Sequence, residues 1–326
     1  MDNKVIGIEA IEYYLPKKVT SSAELASKYD FDKKFIEEKI GVRNLYTLKD
    51  ESVTDMAVNS LERLLSTKQE LRQTIDLLVV CTQTPDFQLP QVSSQIQSRC
   101  NLPKKIASFD VSLGCSGFVY GLSLVESMMA MHDYSNAVLI TVDAYSKIID
   151  VNDRTTKCLF SDAAATTLIS RSGRLTSGKY SFGTDGNFFD CLIVDGSNNI
   201  NKGMYPHLYM NGRAIFNFCA SKIPDEVDKV CKINNIEKNH IDFFVLHQAS
   251  KFIIETLERK IDINHGQFVN YLNLFGNTVS SSIPIALKQL SKSDLRDSTN
   301  ILISGFGVGL SWASTVLKTK GDNNVL

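Results

Sequence analysis

Ile75-Asp76-Leu77-Leu78-Val79-Val80 returns later in the chain as Ile241-Asp242-Phe243-Phe244-Val245-Leu246. Both are apolar runs of strand length opened by an Ile-Asp pair. A polar stretch follows each: Cys81-Thr82-Gln83-Thr84 in one case, His247-Gln248-Ala249-Ser250 in the other. Leu113-Gly114-Cys115-Ser116-Gly117 pairs in the same way with Phe275-Gly276-Asn277-Thr278-Val279. Asn136-Ala137-Val138-Leu139-Ile140-Thr141 pairs with Asn300-Ile301-Leu302-Ile303-Ser304. Three matches in one order, at nearly constant offset, read as two copies of one unit. The repeat is far too long for a solenoid. The reading is two similar halves, residues 1–172 and 173–326, packed about a pseudo-dyad.

Around these runs, strand-like and helix-like stretches alternate, the pattern of an α/β protein. Helical spacing covers Ser52 to Leu65, with Asp55 early where a carboxylate suits the helix dipole. Gln91 to Arg99, the apolar Phe118 to Met131 and Ile253 to Ile261 are further helices. The runs around Leu77, Val138, Val245 and Leu302 are apolar throughout, as in strands covered on both faces. The tail from Lys320 to Leu326 reads as frayed.

Composition sets the outer limits. The chain has 326 residues, 43% of them hydrophobic and 22% charged, with 35 Lys plus Arg against 36 Asp plus Glu. Such a balance favours a folded protein and gives no reason to expect nucleic acid as partner. Seven cysteines, an odd number without a CxxC pair, argue against a disulfide framework or a zinc knuckle. No run of eighteen apolar residues suggests a membrane span, and Met1-Asp2-Asn3-Lys4 leads into a strand-like run rather than a secretory leader. The expectation is a cytoplasmic protein with reduced thiols.

The chemistry centres on Cys115. A strand-like run precedes it, small residues flank it and an apolar helix follows, the layout of a nucleophile elbow. A helix N-terminus would lower the thiol pKa. His247 ends the repeated strand, where open α/β sheets place their sites. Asn277 is the repeat counterpart of Cys115, so a pseudo-dyad brings it to the same cleft. Gly305-Phe306-Gly307-Val308-Gly309 follows a strand, and its alternate glycines allow a close backbone approach. The amides of Cys115 and Val308 could then form an oxyanion hole. Each element has a plainer reading: a small buried cysteine, a structural histidine, a Gly-Asn turn, a glycine turn.

With these residues in place, the chain resembles the β-ketoacyl-acyl carrier protein synthase III family of the thiolase-like superfamily. The resemblance runs through Tyr14-Leu15-Pro16, Ile40-Gly41-Val42-Arg43, Thr84-Pro85-Asp86, the Cys115 segment, Phe160-Ser161-Asp162-Ala163-Ala164-Ala165, His247-Gln248-Ala249, Gly276-Asn277-Thr278 and Gly305 to Gly309. It implies a five-layered αβαβα fold of two similar halves and a homodimer. It also implies that Cys115 takes an acyl group from acyl-CoA. Malonyl-acyl carrier protein then loses carbon dioxide beside His247 and Asn277 and condenses with the acyl-enzyme. No permanent cofactor and no metal is implied, only acyl-CoA and acyl carrier protein as substrate and partner.

The resemblance assigns further positions. Phe35 and Lys39 stand where the family has the tryptophan and arginine of its coenzyme A site, and Arg154 matches the other arginine there. Phe87 and Leu89 are expected at the acyl tunnel, across a dimer interface. Lys251, Arg259 and Lys260 are expected to meet the carrier protein, while Asn217 stands where the family often has lysine. Competing classes are acyl transfer from Cys115 to an amine or hydroxyl without decarboxylation, a papain-like cysteine hydrolase, and a non-catalytic partner subunit. The duplication and the glycine turn argue against the hydrolase, and the intact Cys-His-Asn set against the subunit.

Overall fold

The computed structural model describes residues 5–195, 205–291 and 295–321. The Met1 to Lys4 stretch and residues 322–326 of the tail lie outside the described residues. The start of that tail is tied down rather than frayed: the Lys320 amide donates to Arg174 O at 2.8 Å and the Gly321 amide to Asp297 Oδ1 at 2.7 Å.

Ten strands carry the fold: β1 (Gly7–Tyr14), β2 (Leu77–Cys81), β3 (Ala107–Val111), β4 (Asn136–Asp143), β5 (Ala163–Ser170), β6 (Leu175–Ser177), β7 (Ser181–Thr184), β8 (Phe243–Leu246), β9 (Asn300–Gly307) and β10 (Ser311–Thr319). Their hydrogen-bonded order is β8-β9-β10-β6-β1-β5-β4-β2-β3, with β7 also paired to β10. The repeat is visible in this order. In the first half β2 lies parallel between β3 and β4, and β4 pairs antiparallel with β5. In the second, β8 lies parallel to β9, β9 pairs antiparallel with β10, and a parallel bridge from Phe244 to Phe268 stands where β3 stands in the first. The two runs of strands meet at β6, where Ile8 faces Leu175.

The helices that matter here are α1 (Ser22–Tyr29), α2 (Val53–Thr67), α3 (Val92–Arg99), α4 (Gly117–His132), α5 (Gly212–Ile233), α6 (Lys251–Ile261) and α7 (Ser282–Leu290). They form three of the five layers. α2 and α3 cover the outer face of the first half, and α5 with α6 that of the second. α4 and α7 lie between, with α4 packed on β2 and β4 from one half and on β9 and β10 from the other.

Side-chain alternation explains the apolar runs. Leu77 and Val79 point into the central layer, among Phe118, Leu122 and Val125, while Leu78 and Val80 meet Met56 and Leu61 outside. Val245, Ile301 and Ile303 face the centre, and Phe244 and Leu302 face α5 and α6. A strand apolar on both faces is stable only where helices cover both. Each such Val, Leu or Ile contributes about 1.5–3 kcal/mol of burial.

α2 starts where its sequence says. Ser52 accepts from the Asp55 amide and Asp55 reaches back to the Ser52 amide, a capping box.

Candidate active site

Cys115 sits on the turn between β3 and α4. The turn is closed by the Gly117 amide donating to Gly114 O at 2.8 Å, and Cys115 is 5% exposed. Two glycines of β9 make room for it. A Cβ on Gly307 would stand 2.9 Å from Cys115 Cβ and 3.0 Å from Sγ, and one on Gly305 would stand 2.7 Å from Cys115 O. The close approach read from Gly305 and Gly307 is therefore real, and the group approached is the cysteine turn.

His247 follows β8 directly, its amide bound to Ser304 O of β9 at 2.9 Å. Its Nδ1 lies 2.7 Å from Ser282 Oγ at the start of α7. With that hydroxyl donating, the ring carries its proton on Nε2. Phe306 meets the imidazole edge-on at 5.7 Å between centroids. Burial pulls the His247 pKa down to about 3, which keeps the ring neutral.

Asn277 is held from both ends. Its backbone pairs with the Phe160-Ser161 segment, Asn277 N donating to Leu159 O at 3.0 Å and Ser161 N to Asn277 O at 2.9 Å. Its Oδ1 accepts from the Val279 amide at 2.9 Å, which fixes the flip of the side chain, and one Nδ2 proton goes to Ala249 O at 3.2 Å. Among the described residues the second Nδ2 proton meets no acceptor, which leaves it for a ligand.

Cys115, His247 and Asn277 line one pocket, with Phe160, Phe216, Cys219 and Phe306 among its mostly apolar walls. Cys115 comes from one half, His247 and Asn277 from the other.

The thiol reverses one expectation. Burial pushes the Cys115 pKa well above the usual thiol range, and the nearby Asp143 carboxylate pushes it further, with Cys219 a smaller contribution. Desolvation and a like charge outweigh what the elbow position favours. Asp143, at the end of β4, is itself raised to about 7 by burial, though it accepts from the Gln83 amide at 2.9 Å and from the Ser280 hydroxyl.

The remaining predicted residues lie elsewhere. Val308 is partly buried against the cluster that holds Cys115. Among the described residues, the amides of Cys115 and Val308 donate to no backbone carbonyl. Phe35 and Lys39 are exposed on the π-helical turn Phe35–Ile40, off the pocket wall. Arg154 lies over the Phe31 ring at 5.0 Å, and Phe31 stacks on Phe35 at 5.2 Å. Lys251, Arg259 and Lys260 all belong to α6, whose first turn borders the pocket mouth. Lys251 pairs with Glu255 at 3.8 Å, and Arg259 Nη2 donates to Thr256 Oγ1 at 3.3 Å. Phe252, on the same turn, is 56% exposed and stacks on Phe216 at 4.8 Å. Phe87 and Leu89 are 57% and 84% exposed and do not line the pocket within this chain.

Two family models match the chain: "3-Oxoacyl-[acyl-carrier-protein (ACP)] synthase III" over residues 109–186 and its C-terminal domain over residues 231–319. A β-ketoacyl-[acyl-carrier-protein] synthase III of Streptococcus pyogenes is 31% identical over 319 residues, covering 95% of this chain and 98% of the relative. The chain belongs to the 3-oxoacyl-[acyl-carrier-protein] synthase III family. The synthase III of Lactococcus lactis is 28% identical over the same share of both chains. The crystal structure of the Pseudomonas aeruginosa synthase III superposes with a TM-score of 0.90 at 29% identity, over 98% of this chain and 99% of that one. A priming β-ketosynthase of the R1128 polyketide pathway, at 24% identity and a TM-score of 0.88, shares the fold.

Membership fits the five layers and the two halves found above. Among the described residues no helix is long and apolar enough to cross a membrane, and all seven cysteines are free and buried.

Sequence reasoning missed Ser282, Asp143, Cys219 and Phe31. The Ser280-Ser281-Ser282 run after Asn277 signals buried hydroxyls, but only the fold shows that the third reaches His247.

Proposed function

We propose that Cys115 carries the acyl group and that His247 and Asn277 drive decarboxylation in a condensing synthase. The observation that carries this reading is the convergence of a thiol, a neutral imidazole and an oriented amide on one apolar pocket. In the first half-reaction the Cys115 sulfur attacks the thioester carbonyl of acyl-CoA. The new C–S bond forms, the bond to the coenzyme A sulfur breaks, and the Cys115 proton passes to the departing thiolate. The raised thiol pKa favours coupling proton loss to attack rather than keeping a resting thiolate.

In the second half-reaction malonyl-acyl carrier protein enters. Its C–C bond breaks, carbon dioxide leaves and negative charge builds on the thioester oxygen. His247 Nε2–H and the free Asn277 Nδ2–H donate to that oxygen. The enolate carbon attacks the acyl-Cys115 carbonyl, the Cys115 and Val308 amides receive the tetrahedral oxyanion, its collapse breaks the C–S bond, and the departing Cys115 thiolate takes a proton from solvent as the β-ketoacyl product forms. A charged imidazole would have to be desolvated and then neutralised, so a histidine kept neutral by burial suits the donor role.

The same reading places acyl carrier protein against Lys251, Arg259 and Lys260, beside the mouth, and coenzyme A beside Phe35, Lys39 and Arg154. It pairs two chains so that exposed Phe87 and Leu89 of one reach the acyl tunnel of the other. It divides the halves at residues 172–173, in the turn between β5 and β6. Seven free thiols fit a reducing cytoplasm. Primer length and the pathway served, fatty-acid initiation or a specialised route, follow from which acyl group loads. Incubation of the purified protein with a panel of acyl-CoAs and malonyl-acyl carrier protein tests the reading. It requires β-ketoacyl-carrier protein and equimolar carbon dioxide. An acylated Cys115 that delivers its acyl group to an amine or hydroxyl, with no carbon dioxide released, would refute it.

A further inference from the structure

Phe31 contacts both of the exposed side chains in its neighbourhood that are suited to hold a nucleotide base. Bases are held by stacking on aromatic rings and on guanidinium planes. Around the π-helical turn the exposed pair of this kind is the Phe35 ring and the Arg154 guanidinium. Both meet the same ring, that of Phe31: the Arg154 Cζ lies over it at 5.0 Å from its centroid, and Phe35 stacks on it at 5.2 Å with 26° between planes.

Phe31 is fixed there by its backbone. α1 ends at Asp30, whose φ of 55° reverses the chain, and the Phe31 amide then donates to Ala26 O at 3.0 Å. The following turn is pinned by the Phe35 amide donating to Asp32 O at 2.9 Å and the Lys34 amide to Asp32 Oδ1 at 2.9 Å. The ring is partly buried against the core cluster that includes Leu25 and Ile36. Withdrawing it would therefore disturb the end of α1 as well as two stacks.

Close by, the π-helical turn leads to the pocket. A Cβ on Gly41, at its end, would stand 2.5 Å from Lys251 Cβ, on the helix turn that borders the mouth. A thioester arm entering at Phe252 and Ile253 reaches Cys115 through apolar walls without needing the Phe31 slot.

We infer that Phe31 is a built-in plug in the base slot, and that the acyl donor is recognised by its acyl-phosphopantetheine arm while the adenine of coenzyme A adds little. This rests on the reading of Cys115 as the acyl carrier. It names the donor class as acyl-phosphopantetheine thioesters, whether the arm ends in a nucleotide or on a carrier protein.

The test uses matched donors: the same acyl group on coenzyme A, on free 4′-phosphopantetheine and on carrier protein, with Cys115 acylation followed by intact mass. In the wild-type protein kcat/KM for acyl-CoA should lie within about threefold of that for acyl-phosphopantetheine. In Phe31→Ala the ratio should rise in favour of acyl-CoA by about tenfold, since one added stacked face improves binding by roughly 5- to 150-fold. Phe31→Leu, which keeps an apolar filler, should change the ratio little and guards against misfolding of the alanine variant. Titration with adenosine 3′,5′-bisphosphate, read by calorimetry, should show binding to Phe31→Ala at concentrations where the wild type binds none. A wild-type preference of tenfold or more for acyl-CoA, or bisphosphate binding equal in both proteins, overturns the plug. Failure of every donor to acylate Cys115 overturns the condensing reading instead, and the bisphosphate titration still judges the plug.

Discussion

Asp143 and Cys115 are two buried titrating groups whose shifts share a cause. The carboxyl is raised to about 7 by burial, and its charge is one cause of the raised thiol pKa. The sign follows from linkage. A carboxyl raised from 3.8 contributes stability that is fully present below that value and is lost as pH rises through about 7. Asp143→Asn keeps an oxygen for the Gln83 amide and removes the charge. It should flatten the fall of stability between pH 4 and 7 in denaturant titrations. It should also move the alkylation of Cys115 by iodoacetamide to lower pH. An unchanged alkylation profile would mean that the carboxylate does not act on the thiol. At this scale the sequence shows Cys115, His247 and Asn277 plainly, because each ends or interrupts a repeated segment. It hides Asp143 and Ser282, whose partners come from distant segments: Asp143 lies 137 positions from Ser280, and Ser282 lies 35 from His247. The direction of the Cys115 shift was hidden for the same reason, since an elbow is local and a buried neighbouring charge is not.

Strand β9 and the turn after it do more than complete a sheet. Alternate residues Gly305 and Gly307 face the cysteine turn, and the missing side chains are what let the two halves close on each other. A methyl group at position 307 would stand about as close to sulfur as to Cβ, both inside ordinary contact distance. Gly307→Ala should therefore cut Cys115 acylation by roughly a hundredfold and lower the melting temperature by a few degrees, with circular dichroism unchanged, since overpacking costs about 1–3 kcal/mol. A misplacement of about 1 Å is enough for a loss of that size. Full acylation in this variant would show that the turn has slack. The regular elements were legible because the buried strands are apolar throughout and α2 keeps a 3.6-residue spacing. The π-helical turn Phe35–Ile40 was not, since its extra residue leaves no separate mark on the apolar pattern. Phe31 and Phe35 sit four apart in sequence, yet nothing local announces that Arg154 closes over them.

Across the whole molecule, duplication is what builds the pocket. One half supplies the thiol, the other the imidazole and the amide, and the shared layer of α4 and α7 holds them in register. The five layers were what the resemblance implied, and the duplication with its doubly covered strands agreed with them. The acyl tunnel could not be traced, since Phe87 and Leu89 stand exposed on a single chain. If they cross to a second copy, sedimentation should give twice 36.3 kDa. Leu89→Asp should then weaken the dimer roughly tenfold or more, the effect of losing a buried interface anchor. A wild-type monomer at micromolar concentration would contradict that pairing.

The account turns on a division of labour between the two half-reactions. The direct measurement loads the protein with acyl-CoA, isolates the acyl-enzyme and chases it with malonyl-acyl carrier protein while carbon dioxide is counted. The account predicts that Cys115→Ser forms no thioester adduct. It predicts that His247→Ala and Asn277→Ala form the adduct normally but release carbon dioxide about a hundredfold more slowly, the loss of one donor to the enolate oxygen. Decarboxylation at the wild-type rate in either variant would contradict the roles given to His247 and Asn277.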